Sequence, residues 1–217
     1  MKKLYIVGCG GFGREVLWLA RRINEVKSEW NIMGFIDDNE ELHGTYQDEL
    51  KVVGGCDYLT NLDTECWVVC AVGSAVIKEQ IVQKLQCEHI HFATLIDPSV
   101  LISDRVLVGQ GTIICAGTIL TVDISIGNHV IINLDCTLGH DVDIQDYVTI
   151  YPSVNVSGNV SVGKKAELGT GAAIIQGKCI GEEAIIGAGS VVVKDIPVKC
   201  TAVGSPCKPI KFHGDVS

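Results

Sequence analysis

The stretch that decides the fold is GTIICAGTILTVDISIGNHVIINLDCTLGHDVDI, residues 111–144, in which an aliphatic side chain recurs at every sixth residue. An α-helix repeats every 3.6 residues and a β-strand every two, so neither element alone explains this period. Divided into six-residue units from Ala93 to Lys194, the chain gives 17 consecutive units, and the fourth position of each is Ile, Val or Leu. The second position is small or β-branched in 16 of them, Lys178 being the exception.

A period of six predicts a triangular coil. Each unit supplies a short strand with two inward side chains and then a corner. The 13 glycines between residues 93 and 194 all occupy positions five, six or one, where the chain turns. Three strands close a coil of about 18 residues, and stacked coils bury continuous aliphatic columns. The sequence therefore predicts a hexapeptide parallel β-helix of roughly five to six coils.

The third position of each unit points outward, yet several third positions are apolar: Leu95, Leu101, Leu107, Ile113, Ile119 and Ile131. An apolar ladder on the outside of a β-helix requires a partner surface. The sequence leaves two candidates for this partner surface. One is a neighbouring copy of the chain in a homotrimer, and the other is the chain's own N-terminal domain.

The first 90 residues predict a small α/β domain. Residues 3–23, KLYIVGCGGFGREVLWLARRI, indicate a strand, a glycine turn of the form GxGxxG with Gly10, Gly11 and Gly13, and a helix. A second strand over 31–36 ends in Asp37 and Asp38, and a third strand with a following helix covers 64–85. This context is typical of a nucleotide-binding βαβ unit, in which backbone N–H groups bind phosphate and a carboxylate binds ribose hydroxyls or a base N–H.

The length of the N-terminal domain limits the size of the nucleotide that it can bind. About 90 residues make only half of a dinucleotide-binding fold, so a mononucleotide or a nucleotide sugar fits better than NAD. The alternative is a tight strand-to-helix turn followed by a solvated acidic loop, with no ligand at all.

Composition excludes several classes of function. The net charge of −9 argues against general binding to nucleic acid or to an anionic membrane. No apolar run approaches the ~20 residues of a membrane span, and the run over 4–7 is too short for a secretion signal. The ten cysteines form no CxxC pair, which favours reduced, buried thiols in a cytoplasmic protein and no metal site.

Among the six histidines, His140 is the candidate for chemistry. It stands in Leu138-Gly139-His140-Asp141, at the sixth position of a unit and therefore at a corner outside the aliphatic columns. Histidine as a residue type titrates near neutral pH and suits general-base catalysis, and an adjacent carboxylate can hold its tautomer. Considered alone, an exposed corner histidine can equally be a surface residue without a role.

The whole chain resembles the bacterial nucleotide-sugar acetyltransferases of the sialic-acid and 4-amino-sugar type, members of the hexapeptide-repeat acyltransferase superfamily. The motifs that carry this resemblance are GCGGFG at 8–13, FIDD at 35–38, AVG at 71–73, Asn133, GHD at 139–141 and VGSPCKPIK at 203–211. The resemblance implies a Rossmann-like domain over residues 1–90, followed by a left-handed parallel β-helix with a C-terminal extension over 91–217. It also implies a cytoplasmic homotrimer that transfers the acetyl group of acetyl-CoA to a nucleotide-linked amino sugar.

The same resemblance implies roles for individual residues. His140 is the expected general base with Asp141 beside it, Asn133 contacts the acceptor sugar, and Gly158 offers its N–H to the thioester carbonyl. The expected nucleotide contacts are Gly10, Gly11, Gly13, Asp37, Asp38 and Lys78, and the expected acyl-donor contacts are Thr149, Thr170, Ala188 and Lys208.

Two positions depart from the family pattern. Many members carry a second histidine in a HIAPG-like run, where this chain has Thr149-Ile150-Tyr151-Pro152-Ser153. Lys78 stands where an arginine is common. These departures concern the contacts to the acyl donor and to the nucleotide rather than the fold.

Three other functions remain open from the sequence. The acceptor group can be a hydroxyl, as in O-acetylation of sialic acid or of a polysaccharide. A zinc enzyme like the β-helix carbonic anhydrases needs three histidines, and the repeats offer only His129 and His140. A non-enzymatic trimeric scaffold is the third. Cys136 occupies an inward position, which argues against a cysteine nucleophile. The sequence does not give the sugar, the nucleotide base or the acyl length.

Overall fold

The computed structural model describes residues 1–214, and the chain forms two compact units that divide between Pro98 and Ser99. The sequence placed this division after residue 90. The strand Ile90–Phe92 explains the difference, because it pairs in parallel with the strand Cys66–Cys70 of the N-terminal sheet. Ala93 extends this connection by donating its N–H to the carbonyl of Val68 at 2.9 Å.

The first unit is built on a mostly parallel sheet. Its strands are β1 Lys2–Val7, β2 Trp30–Ile36, β3 Tyr46–Gln47, β4 Leu50–Gly54, β5 Cys66–Cys70 and β6 Ile90–Phe92. Their spatial order in the sheet is β3-β4-β2-β1-β5-β6. The short strand β7, Leu95–Ile96, follows β6 in the chain and is not part of this sheet. Its helices are α1 Gly11–Val26, α2 Cys56–Thr60 and α3 Ala75–Lys84, together with a 3₁₀ turn at Glu40–Leu42. Only β3 pairs antiparallel, and β3, β4 and α2 were not indicated by the sequence.

Because β1 lies at the centre of this sheet, the glycine turn that follows it lies beside the carboxyl end of β2. The apolar side of α1 is buried through Val16, Leu17, Leu19 and Ala20. This arrangement places the GxGxxG turn and the two acids after β2 at the same edge, where ligands of open α/β sheets bind.

The second unit is a triangular prism with three faces. The first face contains the strands Ile113–Ile114, Ile131–Ile132, Thr149–Ile150, Glu167–Leu168, Ile185–Ile186 and Cys200–Val203, the last of which pairs antiparallel with Lys208–Phe212. The second face contains Leu101–Ile102, Ile119–Leu120, Thr137–Leu138, Asn155–Val156, Ala173–Ile174 and Val191–Val192. The third face contains Val106–Val108, Ile124–Ile126, Asp143–Ile144, Ser161–Val162 and Cys179–Ile180.

The strands on each face are parallel, and their register confirms the six-residue period. On the first face Ile114 pairs with Ile132, Ile132 with Ile150, and Ile150 with Leu168, so one coil takes 18 residues. These fourth-position residues are at most 1% exposed and form one of the predicted aliphatic columns. The architecture agrees with the predicted left-handed parallel β-helix.

Three corners join the faces, and each is named here by one residue. The Asn133 corner leads from the first face to the second (residues 115–117, 133–135, 151–153, 169–171 and 187–189). The His140 corner leads from the second face to the third (121–123, 139–141, 157–159, 175–177 and 193–195). The His129 corner leads from the third face back to the first (109–111, 127–129, 145–147, 163–165 and 181–183).

From the fourth unit onward, the backbone turns at position one. Each position-one residue from Gly111 to Gly189 has a positive φ, from +55° at His129 to +78° at Gly117. Nine of these residues are not glycine, and Asp or Asn, the side chains that tolerate this left-handed region best, account for Asp123, Asp135, Asp141 and Asn159. The turn is therefore imposed by the stacking of the coils rather than by glycine alone.

Glycine at position five has a different cause from the one its clustering at the corners indicated. These residues show no positive φ, but a Cβ on them would collide with the next coil. A Cβ on Gly139, for example, would lie 2.7 Å from the backbone nitrogen of Gly158. Close approach between coils, and not an unusual backbone angle, selects glycine there.

The outward apolar ladder is only partly exposed. Ile113 and Ile131 on the first face are at most 1% exposed, and Leu95 is fully buried. Leu101, Leu107 and Ile119 on the other two faces remain exposed, at 38% or more. Within residues 1–214 no helix has the length and apolar character needed to cross a membrane.

Candidate active site

The glycine turn after β1 leaves space for a ligand. Gly8 has a φ of +94°, and a Cβ on Gly13 would overlap the carbonyl of Gly8, so these two glycines are required by the backbone and by the packing of α1 on β1. By contrast, a Cβ on Gly10 or Gly11 would meet no atom within 4 Å. Gly10 caps α1 without any side-chain hydrogen bond, so the start of this 16-residue helix is open to an anion.

The two acids after β2 have different surroundings. Asp37 holds the glycine turn: its Oδ2 accepts the N–H of Cys9 at 3.3 Å and the Sγ–H of Cys9 at 3.2 Å, and its Oδ1 accepts the N–H of Asn39 at 3.1 Å. Burial, with Asp37 beside it, raises the pKa of the Cys9 thiol to about 11, so the thiol stays protonated and remains a donor. Both oxygens of Asp37 therefore already accept hydrogen bonds from the chain.

Asp38 faces the helix α3. Its Oδ1 accepts the N–H of Cys56 at 2.7 Å, and its Oδ2 lies 3.7 Å from the ammonium of Lys84. Partial burial on its own raises the pKa of this carboxyl, but the Cys56 N–H and Lys84 outweigh it and bring the pKa below its usual value. Lys84 also pairs with Asp57, at 3.1 Å.

These acids border a cavity of about 340 Å³ at the carboxyl edge of the sheet. Its apolar wall comes from the ends of β1 and β2 and from α3, and its polar groups come from Asp37, Asp38, Gln80 and Lys84. The full lining is Val7, Gly8, Ile36, Asp37, Asp38, Cys56, Val72, Ile77, Gln80, Ile81 and Lys84. A slot with apolar walls and a few polar groups suits a nucleobase and its ribose.

Lys78, the predicted cation of this pocket, is 1% exposed and does not line the cavity. Helical geometry gives the reason, because Ile77, Gln80, Ile81 and Lys84 share the cavity side of α3 at spacings of three and four. Lys78 lies on the buried side with Ala75 and Val82. Gln80 and Lys84, which line the cavity, were not predicted from the sequence, although their helical spacing from Ile77 was the signal that could have identified them.

In the second unit, His140 is held by its neighbour Asp141. The Nδ1 of His140 lies 2.8 Å from Oδ2 of Asp141, and about half of each side chain is exposed. Because a carboxylate only accepts, Nδ1 is the donor in this contact, and in the neutral ring Nε2 is then the nitrogen able to accept a proton. Asp141 has a φ of +57°, and this turn brings its carboxylate back to the preceding ring.

The His140 ring lies against Gly158, one coil later at the same corner. A Cβ on Gly158 would lie 2.5 Å from both Cε1 and Nε2 of His140, so only glycine leaves room for the ring. Asn159 fixes the backbone between them by donating its N–H to the carbonyl of His140 at 2.8 Å. His140, Asp141 and Gly158 therefore form one cluster.

The same corner leaves a backbone donor without a partner. The hydrogen bonds between coils use the N–H groups of positions one, three and five, so a position-six N–H has no backbone partner in the next coil. In the part of the chain that the structure describes, the N–H of Gly158 meets no acceptor, although Gly158 is buried. Such an N–H beside a histidine nitrogen can stabilise a developing oxyanion.

Asn133 lies at a different corner. Its Oδ1 accepts the N–H of Leu134 at 2.7 Å, which leaves the amide NH₂ as the group able to contact a ligand. Thr170 and Ala188, both exposed, occupy position six of later coils at this same corner. The strand Thr137–Leu138 separates the Asn133 corner from His140, so a single chain does not bring these two predicted groups together.

The two remaining predicted donor contacts differ in exposure. Thr149 is 1% exposed on the first face, and Lys208 is exposed at the start of the last strand. Lys208 also lines a cavity of about 610 Å³ with Lys194, Pro197 and Pro209. Lys208 is thus available to an anionic ligand, and the hydroxyl of Thr149 is not openly accessible.

The residues on which the zinc-enzyme and cysteine-nucleophile alternatives depend, His129 and Cys136, are both buried. His129 is 3% exposed and stacks on Tyr147 with ring centroids 5.2 Å apart, at a corner that His140 does not share. Residues 1–214 contain no group of three or more His, Cys, Asp or Glu side chains that could hold a metal ion. Cys136 is fully buried, which raises the pKa of its thiol to about 11.

Comparisons with known proteins agree with the resemblance found in the motifs. Residues 3–85 match the family described as the PglD N-terminal domain. The acetyltransferase domain of PglB from Neisseria gonorrhoeae FA1090, solved in complex with acetyl coenzyme A, superposes with a TM-score of 0.87 at 29% identity, over 96% of this chain and 99% of that one. WeeI from Acinetobacter baumannii AYE superposes with a TM-score of 0.87 at 28% identity, over 97% of this chain and all of its own.

A third solved relative was determined with two bound ligands. A mutant of perosamine N-acetyltransferase from Caulobacter crescentus, in complex with CoA and GDP-perosamine, has a TM-score of 0.86 at 28% identity, over 99% of this chain and 98% of that one. The protein named "Putative acetyltransferase C18B11.09c" of Schizosaccharomyces pombe is 56% identical over 43 residues, which is 20% of this chain and 21% of its own length. The chain thus spans about a fifth of such curated relatives, and the full-length likeness comes from the solved structures.

Proposed function

We propose, from the PglD-type N-terminal domain and the fold shared with the sugar acetyltransferases, that this protein transfers an acetyl group from acetyl-CoA to the amino group of a nucleotide-linked sugar. The observation that carries the proposal is the cluster at the His140 corner. There the chain combines a histidine, a carboxylate that holds its Nδ1, and, one coil away, a glycine N–H that meets no acceptor among residues 1–214.

His140 acts as the general base. The amine of the acceptor attacks the thioester carbonyl carbon, so that a C–N bond forms while the C–S bond breaks. Nε2 of His140 takes the proton that the amine loses, and the proton then passes to the departing thiolate of coenzyme A. General-base assistance of this kind contributes on the order of 10²–10⁴ in rate.

Gly158 stabilises the charge that develops on the carbonyl oxygen. Its N–H is fixed by the coil before the substrate arrives, so no reorganisation is needed during the reaction. Removing one such donor in comparable sites costs roughly 3–4 kcal/mol of transition-state stabilisation. No covalent acyl-enzyme is required, in keeping with the buried, protonated thiol of Cys136.

The N-terminal cavity binds the nucleotide of the acceptor. The open glycine turn at Gly10 and Gly11 and the start of α1 supply donors for phosphate, and the apolar slot beside Asp38 and Lys84 takes the base. Asp37 contributes by holding the turn, and its oxygens have remaining lone pairs for a ribose hydroxyl. GDP-perosamine in the Caulobacter crescentus relative is a ligand of this chemical class.

A homotrimer completes the site. His140 and Gly158 lie at one corner of the prism, and Asn133, Thr170 and Ala188 lie at another, with the second face between them. In the proposed trimer, the His140 corner of one copy would lie next to the Asn133 corner of its neighbour. The exposed apolar residues Leu101 and Ile119 on the second face support such an association.

The test is the release of coenzyme A by the wild type and by His140→Ala, with matched amino-sugar and hydroxy-sugar nucleotides. We expect turnover with an amino sugar and a loss of 10²–10⁴ in kcat for His140→Ala. His91→Ala is the control, since His91 is half-exposed in the other unit and packs on Trp67. An unchanged kcat in His140→Ala contradicts the base assignment.

The same assay separates the alternatives. Turnover with the hydroxy sugar and not with the amino sugar identifies an O-acetyltransferase that uses the same cluster. Failure of the wild type to bind acetyl-CoA in calorimetry contradicts the transferase altogether and supports a trimeric scaffold.

A further inference from the structure

We propose that Tyr151 and Glu167 form a hydrogen-bonded pair that positions the nucleophilic amino group of the acceptor sugar. The inference rests on the proposed acetyl transfer and assigns a substrate contact beyond those indicated by the sequence motifs. It is carried by three observations, which are the location of the pair, its hydrogen bond and the burial of Thr149 beside it.

The location of Tyr151 is between the predicted acceptor contact and the predicted donor contacts. Tyr151 occupies position five at the Asn133 corner, one coil after Asn133, and Asn133 donates its N–H to the carbonyl of Ile150 at 2.9 Å. The next coil brings Thr170 to the same corner, and Tyr151 donates its N–H to Leu168 there at 2.9 Å. Neighbouring coils are separated by about 4.8 Å, so Tyr151 lies at the junction of the two predicted contact regions.

The hydrogen bond determines what the pair can recognise. The Oη of Tyr151 donates to Oε2 of Glu167 at 3.2 Å, and both side chains are half-buried. Burial and the nearby Glu167 raise the pKa of the Tyr151 phenol to about 12, so the phenol keeps its proton and directs it to Glu167. With its proton directed to Glu167, the phenol oxygen of Tyr151 offers acceptor lone pairs, which suit an N–H donor and not the acyl carbonyl.

Thr149, beside the pair, is buried. It is the register partner of Glu167 on the first face, and its side chain is 1% exposed, so it does not present its hydroxyl to a groove. Tyr151, two residues later, extends a half-buried phenol from the same strand end, so a ligand at this corner would meet this phenol rather than the Thr149 hydroxyl.

The experiment compares Tyr151→Phe and Glu167→Gln with the wild type in steady-state kinetics. We expect the KM for the amino-sugar nucleotide to rise about five- to tenfold, as for one lost hydrogen bond, with the KM for acetyl-CoA changed less than twofold. Tyr147→Phe is the matched control in the same coil, because Tyr147 lies at the His129 corner against His129. A purely structural role predicts equal effects on both KM values and a lower unfolding temperature.

The outcomes distinguish this inference from the proposed function. An active wild type with an unchanged acceptor KM in both variants overturns the role of the pair and leaves the acetyl transfer intact. An increase in the KM for acetyl-CoA alone assigns the pair to the donor side and also overturns the inference. A wild type that cleaves no thioester with any acceptor overturns the proposed function, and the pair's role with it.

Discussion

The His129 corner and the His140 corner are made from the same six-residue unit, but their position-six N–H groups are treated differently. At the His129 corner, side chains of an adjacent coil cap three of these donors: Asn128 accepts from Gln110, Asp146 from Asn128, and Gln145 from Lys164, at 2.7–3.0 Å. At the His140 corner, the N–H of Gly158 is left without an acceptor among the described residues. The His129 corner thus satisfies three of these donors with its own side chains, whereas the Gly158 N–H is the donor that the proposed function assigns to a ligand.

His129 and His140 also differ in their surroundings, as the two corners do. His129 is buried, stacked on Tyr147, and Tyr147 lies under the ammonium of Lys164. His140 is half-exposed and touches a glycine instead of an aromatic ring. If His140 acts as proposed, the repeated scaffold separates stability from chemistry by changing which side chain fills an equivalent place.

Among changes that retain His140, the largest expected effect comes from adding a methyl group to Gly158 at the His140 corner. In Gly158→Ala the Cβ displaces the His140 ring, and we expect kcat to fall on the order of 10²-fold, because sub-ångström positioning of the base is lost. Gly163→Ala is the control at the His129 corner, where the Cβ would lie 2.6 Å from the backbone nitrogen of Glu182. Steady-state kinetics and thermal unfolding of both variants test the difference, and an equal loss of kcat in the two contradicts it.

A smaller effect is expected from Asp141→Asn. The amide no longer selects the tautomer with a proton on Nδ1, so kcat should fall roughly ten- to 100-fold, less than the ~10⁴ found for a buried triad carboxylate, since Asp141 is largely exposed. Asp135→Asn is the matched change, because Asp135 has the same φ of +57° at the Asn133 corner. Retention of full activity in Asp141→Asn would show that the turn alone orients His140.

The smallest effect on activity is expected from a substitution at the His129 corner. Asn128→Ala removes the acceptor of the Gln110 N–H, and we expect the free energy of unfolding to fall by about 1 kcal/mol with kcat unchanged. Chemical denaturation measures the first quantity and the coenzyme A release assay the second. If Asn128→Ala lowers kcat as much as Asp141→Asn does, the two corners are not functionally distinct.

In the N-terminal pocket, the glycine turn and the acids could be located from the sequence, but the cation could not. GxGxxG and the following acids correctly indicated a turn and a strand end that meet, because both lie at fixed distances along the chain from regular elements. The cation of the pocket could not be assigned in the same way. Whether Lys78 or Lys84 faces the cavity depends on the rotation of α3 against the sheet, and this rotation buries Lys78.

The sequence by itself determined the coil, its 18-residue register and the corner position of His140, because a six-residue hydrophobic repeat admits one stacking and that stacking fixes which residues face inward. Only the tertiary structure decided which glycines leave room for a neighbour and which N–H groups find an acceptor. It placed Gly158 under the His140 ring and Glu167 beside Tyr151, contacts between residues 18 and 16 apart whose distances depend on how successive coils pack.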